Sequence, residues 1–417
     1  MPEPETSSHS GRAAFNHPNF VLLLIARFFM VFALEMQSVA VGWQVYEITR
    51  SALDLGYVGL AQFLPGIVLF LVSGHAADRF DRRRLLALCY GAYAVCSALL
   101  LVITLRRPHS VELIYAVLFL TGVVRSFNGP ASRALLPQLV SDEDFPNAVA
   151  WSSTTFQTAT ILGPALGGLV YALFRGPAAV YAIASVAGVV ASLSVLRIRL
   201  KMKVRLREQY SARTVLAGIA YIWRQKIILG SISLDLFAVL LGGAVALLPV
   251  YAREILHTGP WGLGLLRCAP GVGAAAMAVF LAHRPLRGRV GASMLWCVGG
   301  FGVFTILFGI SHNMALSLVA LVLVGATDMV SVIVRGVLIQ IATPDQMRGR
   351  VNAVDMVFIG ASNEFGEFES GLTAHWFGTV PAVVLGGIGT LIITALWAWR
   401  FPDLRRADQF SDIQLPR

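Results

Sequence analysis

Long apolar runs recur along the whole chain, and they leave few folds open. They fall near residues 20–46, 55–77, 85–105, 112–134, 147–173 and 177–197, then 227–251, 258–282, 291–311, 314–341, 351–376 and 380–400. Each approaches or exceeds the ~20 residues that a helix needs to cross a bilayer. A helix satisfies every backbone group within one segment, which lipid demands. The runs therefore predict an all-α integral membrane protein with twelve transmembrane helices. Composition points the same way. Of 417 residues, 56% are hydrophobic and 13% charged, against about 25% charged in an ordinary soluble domain. That little charge cannot clothe a soluble body, so a soluble two-domain enzyme, a disordered chain and a nucleic-acid module are excluded. The first run is too long for a signal-peptide core and is followed by no small-residue cleavage site, so it reads as a retained span.

An even number of spans puts both termini on one side. If that side is inside, 24 of the 33 Lys and Arg fall in inner segments, five in outer loops and four within spans. Basic residues collect on the cytoplasmic face of membrane proteins, so both termini are expected there and the net charge of +10 marks orientation, not nucleic-acid binding. The division expected is a cytoplasmic tail at 1–19, a six-helix bundle at 20–197, a basic linker at 198–226, a second six-helix bundle at 227–400 and a tail at 401–417. In the linker, Ser211 can cap a short helix carrying Val215, Leu216, Ile219, Ile222 and Trp223. A basic amphipathic helix suits the anionic inner leaflet, and a solvated linker is the alternative.

The two bundles repeat each other. Gly59 and Leu60 match Gly264 and Leu265, Pro65-Gly66 match Pro270-Gly271, and Arg79, Arg82 and Arg84 match Arg284, Arg287 and Arg289, all at an offset of 205 residues. A second stretch, Gly122 to Asp142, aligns with Gly325 to Asp345 at 203. Six helices per offset make the halves parallel repeats about an axis along the membrane normal, with a pathway expected between them.

Between spans 2 and 3 the chain reads Gly74-His75-Ala76-Ala77-Asp78-Arg79-Phe80-Asp81-Arg82-Arg83-Arg84. This resembles the G-x-x-x-D-R-x-x-R-[RK] signature loop of the major facilitator superfamily. Asp81 stands where a glycine is usual, as in the enterobactin-exporter-like branch of drug and siderophore efflux proteins. Three further stretches resemble that branch: Phe127 to Pro137, Ser233 to Phe237 and Arg348 to Asn352. The resemblance covers about residues 20–400. It implies two six-helix bundles of the major facilitator fold, efflux, and a cavity lined by spans 1, 4, 7 and 10. Independently of family, Gly74 lets helices approach closely, and Asp78 at a helix end can accept from Arg79, Arg82 or Arg83 or from a neighbouring helix N-terminus. That loop can latch the halves together on the cytoplasmic side, or serve topology alone. In span 5, Gly163, Pro164, Gly167 and Gly168 resemble the glycine-proline motif of antiporters in the superfamily. Proline removes one helical hydrogen bond and the glycines permit bending and close packing, as an ordinary kink also would.

Ionisable groups inside spans are costly and mark function by default. Span 1 carries Arg27, Glu35 and Gln37, span 4 Arg125, span 7 Asp235, span 8 Arg267, span 10 Asp328 and Arg335, and span 11 Asp355, Glu364 and Glu367, with Glu369 nearby. A carboxylate in a half-dry cavity can carry a proton. Glu35, Glu364, Glu367 and Asp235 are therefore the candidate proton-coupling groups, Glu364 and Glu367 sharing one helical face. The alternative for Glu35 and for the Glu364 and Glu367 pair is a structural ion pair with Arg27, Arg125, Arg267 or Arg335. Arg27, Gln37, Arg125, Arg267, Asp328 and Arg335 are the candidate substrate-cavity residues. Arg125 and Asp328 occupy matching repeat positions with opposite charge, so they are expected to face each other or to bind opposite ends of a substrate; the alternative is that Asp328 and Arg335, seven apart on one face, interact within span 10.

No Walker loop appears, so ATP-driven pumping is not expected. There is no metal-ligand spacing, no G-x-S-x-G nucleophile motif and no filter segment of a channel. Cys89, Cys96, Cys268 and Cys297 sit in apolar runs as buried thiols. No cofactor is expected, and no enzymatic activity. The expected function is a proton-coupled exporter of small hydrophobic, amphiphilic or siderophore-like molecules, working by alternating access as a monomer in the bacterial inner membrane. Its partners would be a small-molecule substrate, protons and the lipid bilayer. An importer of an organic anion on the same fold and a non-transporting membrane sensor or scaffold are the competing readings.

Overall fold

The computed structural model describes residues 12–106, 110–199, 212–286 and 288–406. The first half comprises α1 (Pro18–Thr49), α2 (Ala52–Arg79), α3 (Arg82–Arg106), α4 (Val111–Leu135), α5 (Phe145–Leu173) and α6 (Ala178–Leu196). A short helix, α7 (Ala212–Arg224), leads into the second half. There α8 (Lys226–Gly242) runs on through the single turn α9 (Leu248–Val250) and a π-helical turn at Tyr251–Ile255. Then come α10 (Gly259–His283), α11 (Val290–Gly309), α12 (Met314–Ala342), α13 (Asp345–Phe377), α14 (Thr379–Arg400) and the terminal turn α15 (Pro402–Arg405).

Among the described residues, eleven segments are long and apolar enough to cross a membrane. The twelfth expected span lies in α13. At 33 residues it has the length, but Asp355, Glu364, Glu367 and Glu369 make it the most acidic of the long helices. Three of them turn towards the protein: Asp355 pairs with Arg335, and Glu364 and Glu367 line an internal cavity. Helix α7 is the part of the expected linker that the structure describes; 200–211, which include the Ser211 cap, and the side chains of Val215 and Leu216 lie outside the described residues. It packs on the second half: Gly218 lies against the Arg350 carbonyl, Ile222 is buried, and the Tyr221 hydroxyl donates to the Ala342 carbonyl at 2.8 Å.

The sequence repeat reappears as two matching seams between the halves. At the first, α2 meets α13, and a Cβ added at Gly371 would stand 2.9 Å from the Gly56 Cα. At the second, α5 meets α10, and a Cβ added at Gly168 would stand 2.9 Å from the Gly264 Cα. Adding six spans turns α2 into α10 and α5 into α13, so each seam is the repeat image of the other. Both place backbone on backbone, the close approach that small residues allow between membrane helices.

Core packing is unequal at the two ends of the molecule. At the end away from the termini, one apolar cluster joins both halves, with Met36, Tyr46 and Leu55 packed together with Leu247, Tyr251 and Phe308. At the terminus end the clusters are separate. One holds first-half residues such as Phe20, Leu86 and Leu135, the other second-half residues such as Ile228, Met294 and Leu338. Among the described residues, the core shared by the halves lies at the far end, and towards the termini each half keeps a core of its own.

Candidate functional site

Between the halves lies a cavity of about 350 Å³. Its walls come from α1, α2, α4, α5, α8, α10 and α13, and from the turn after α8. Apolar side chains, among them Leu34, Val58, Leu118 and Val239, alternate with a charged set: Glu35, Arg125, Arg267, Glu364 and Glu367. Three carboxylates thus face two guanidinium groups. Arg125 Nη1 donates to Glu364 Oε1 at 2.6 Å, an ion pair that reaches from one half to the other. Glu364 is 11% exposed and Arg125 54%, so the carboxylate is anchored and the arginine opens onto the cavity. Arg267 of the second half donates to the Ser38 hydroxyl of the first, and its buried Nε has no hydrogen-bond partner among the described residues. Glu35 packs on Gly163, where an added Cβ would lie 2.5 Å from the Glu35 Cβ. Glu367 packs on Gly59 in the same way, with Oε2 2.7 Å from an added Cβ. Gly163 of the glycine-proline motif thus makes room for an acid on the neighbouring helix. Pro164 leaves the carbonyl of Thr160, itself a wall residue, without its helical donor.

Of the other residues singled out, Gln37 lines the wall while its side-chain oxygen accepts from Ser97 at 2.6 Å. Arg27 lies outside the lining and donates to Ser152 on α5. The wall also carries Ser38, Gln62, Thr121, Thr160 and Asn363. Sequence reading passed over them because uncharged polar residues inside spans are common.

The expected facing of Arg125 and Asp328 is not what the structure shows. Helix α4 looks across the interface at α13, so Glu364 takes Arg125, while α12 turns its polar face into its own half. There Arg335 pairs with Asp235 of α8 and with Asp355 of α13 at 3.3 Å. Ser331 donates to Asp235 at 3.3 Å, and Asp328 lies within electrostatic reach of Asp235 and Arg335. Neither Asp235, Asp328 nor Arg335 lines the cavity. The side chain of Arg335 is 4% exposed, so it ties three helices together from inside. Arg335→Met leaves two buried carboxylates unpaired, a loss of about 3–5 kcal/mol. A sharply lower melting temperature is expected, partly restored when Asp235→Asn and Asp355→Asn are added. Among the described residues, no group of three or more His, Cys, Asp or Glu is placed to hold a metal ion.

The sequence pattern of the transmembrane secretion effector family matches residues 9–416. The chain belongs to this family. Its relatives include the enterobactin exporter EntS of Shigella boydii, 26% identical over 396 residues that cover 94% of each chain. EntS of Escherichia fergusonii matches with the same identity and coverage. A solved structure of a bacterial homologue of the human lysosomal transporter Spinster, inward-facing and occupied, superposes with a TM-score of 0.74 at 11% identity, covering 96% of this chain and 99% of that one. A peptide transporter POT with bound sulfate gives 0.73 at 11% identity, covering 97% of each. At such identity these show the fold. The family member described here is a multi-pass secondary transporter of the major facilitator class.

As a major facilitator protein it needs a seal on one side of its cavity, and the far end supplies one made of charge as well as core. Arg50, which ends α1 with φ at 53°, donates to Glu254 at 3.1 Å. Arg253 pairs with Glu47 at 3.6 Å and stands 5.4 Å over the Trp43 ring. The Tyr171 hydroxyl donates to Glu47 at 3.1 Å. The π-helical turn carries both Arg253 and Glu254, so one irregular turn of the second half grips the first. These residues sit at span ends, where charge reads as interfacial, and sequence reading passed over all but the count of Arg50 and Arg253 as loop arginines. In the loop between α2 and α3, Arg83 donates to the Ile198 carbonyl at 2.5 Å and Arg84 pairs with Asp81 at 3.7 Å, both within the first half. The side chain of Asp78 and the surroundings of Gly74 lie outside the described residues.

Proposed function

We propose that this transporter exports small hydrophobic, amphiphilic or siderophore-like molecules in exchange for protons. The observation that carries the reading is the cavity between two repeat halves, sealed at one end, with more carboxylates than guanidinium groups on its walls. With Arg125 paired to Glu364, Glu35 and Glu367 have no ion-pair partner among the described residues, and these are the groups we assign to proton carriage. Glu364 releases Arg125 when substrate or proton arrives. Apolar wall residues take the body of the cargo, and Arg267 takes a polar or anionic end. The excess of Lys and Arg on the terminus side supports cytoplasmic termini in a bacterial inner membrane, so the halves part towards the cytoplasm. On the return stroke the loop with Gly74, Asp78, Arg79, Arg82 and Arg83 closes that side. The chain acts as a monomer and as a carrier, not a catalyst. The exporter named among its relatives supports the direction and the cargo class.

Everted membrane vesicles test the reading. With an imposed proton gradient, inside acidic, they accumulate a lipophilic dye or a siderophore, and an uncoupler collapses the accumulation. Flux that ignores the gradient, or uptake in the opposite sense driven by an organic anion, overturns it.

A further inference from the structure

We propose that a groove on the outer side of α3, α4 and α6 is a phospholipid site, with an acyl chain in the groove and the headgroup phosphate on Arg84. The groove encloses about 800 Å³ and is separate from the central cavity. Its small residues Ala87, Gly91 and Ala92 make a depression bordered by Leu88, Leu120 and Leu196, which are 70%, 48% and 46% exposed. The one lining hydroxyl, that of Ser192, is already spent on the Ala87 carbonyl at 2.8 Å. Beyond Arg84 at its end, the groove therefore offers a polar cargo nothing to bind among its described lining residues, and it suits hydrocarbon.

Arg84 marks one end and Leu99 the other. Fifteen residues of helix between them span ~22 Å, more than the ~15 Å half-thickness of a hydrocarbon core. A chain from one leaflet fits along it with its headgroup beside Arg84. The Arg84 side chain is 78% exposed and meets Asp81 only loosely, at 3.7 Å on the surface. A phosphate displaces such a pair readily, because charge-assisted bonds from guanidinium to phosphate are among the strong ones. Arg83 is turned away to the Ile198 carbonyl, so Arg84 is the cation the groove presents. The basic cluster also lies on the side where anionic lipid collects if the termini are cytoplasmic.

Native mass spectrometry of the full chain in nanodiscs of phosphatidylglycerol and phosphatidylcholine tests the site. The wild type is expected to retain one phosphatidylglycerol after activation. Arg84→Gln, an exposed change that spares the fold, weakens retention about fivefold and lowers the preference for the anionic lipid. Ala92→Phe fills the groove and removes retention of either lipid, with an unchanged melting temperature as the folding control. Retention equal to wild type in both variants overturns the proposal. So does displacement of the lipid by an apolar efflux dye that Ala92→Phe also excludes, which would give the groove to cargo.

Discussion

Arg125→Ala is expected to lower proton-driven accumulation in everted vesicles by about 30–100-fold. The figure follows from the cavity ion pair. Removing the arginine leaves Glu364, 11% exposed, as an unpaired anion in the wall. Breaking one side of a buried pair costs about 3–5 kcal/mol. The half-exposure of Arg125 lets water compensate in part, which brings the loss to about 2–3 kcal/mol and so to the stated factor. Adding Glu364→Gln removes the stranded charge and should restore the melting temperature and most of the accumulation, the residual loss being the share of the missing link between the halves. Arg125→Lys keeps the charge but not the planar fork and should fall between. Wild-type accumulation by Arg125→Ala would show that the pair takes no part in the cycle.

Gly264→Leu should act at the opposite end of the machine. An added Cβ there would stand 2.6 Å from the Pro164 carbonyl oxygen and 3.1 Å from the Gly168 Cα. The obstacle is backbone, which cannot swing aside as a flexible side chain can. Overpacking of this kind costs about 1–3 kcal/mol or more, enough to shift a two-state balance about 5–150-fold. The far-end seam is expected to spread, so that spin labels at Thr49 and His257 move apart and accumulation is lost. Gly336→Ala, with open space around its added carbon, is the control and should change neither reading. An unmoved label distance in Gly264→Leu would mean that the seam tolerates a side chain and does not hold the halves.

The fold was legible because lipid leaves the backbone so few options. Apolar length and the repeat located the helices, including α13, whose charge hides it from hydropathy alone. The acids of the cavity were legible for the same reason inverted: Glu35, Glu364 and Glu367 are too costly in a span to lack a purpose. Partners were legible only in part: an ion pair of the span 11 acids with Arg125 and contact of Asp328 with Arg335 stood among the alternatives, without a ground for choosing them. Repeat symmetry pairs Arg125 with Asp328, yet the helices that face each other across the interface are α4 and α13. The contact between Asp235, Arg335 and Asp355 joins three helices whose order in sequence says nothing of which sides meet. Family resemblance placed spans 1, 4, 7 and 10 around the cavity. Three of these, α1, α4 and α8, do line it, joined by α2, α5, α10 and α13, while α12, the tenth span, is absent from the walls. The far-end grip on Glu47 and Arg50 was hidden because charged span ends ordinarily meet water.

The two glycine seams have a mechanical consequence. Because α2 on α13 and α5 on α10 are one joint built twice, a defect in one leaves its twin as an intact pivot. A change at Gly264 or Gly168 should tilt the halves about the α2–α13 joint, opening one flank before the other. A matching change at Gly371 should tilt them the opposite way. Only paired substitutions would free both flanks together. The duplication that gave the chain its twelve helices thus also gave it a spare bearing, and the motion of either half is a hinge as long as one survives.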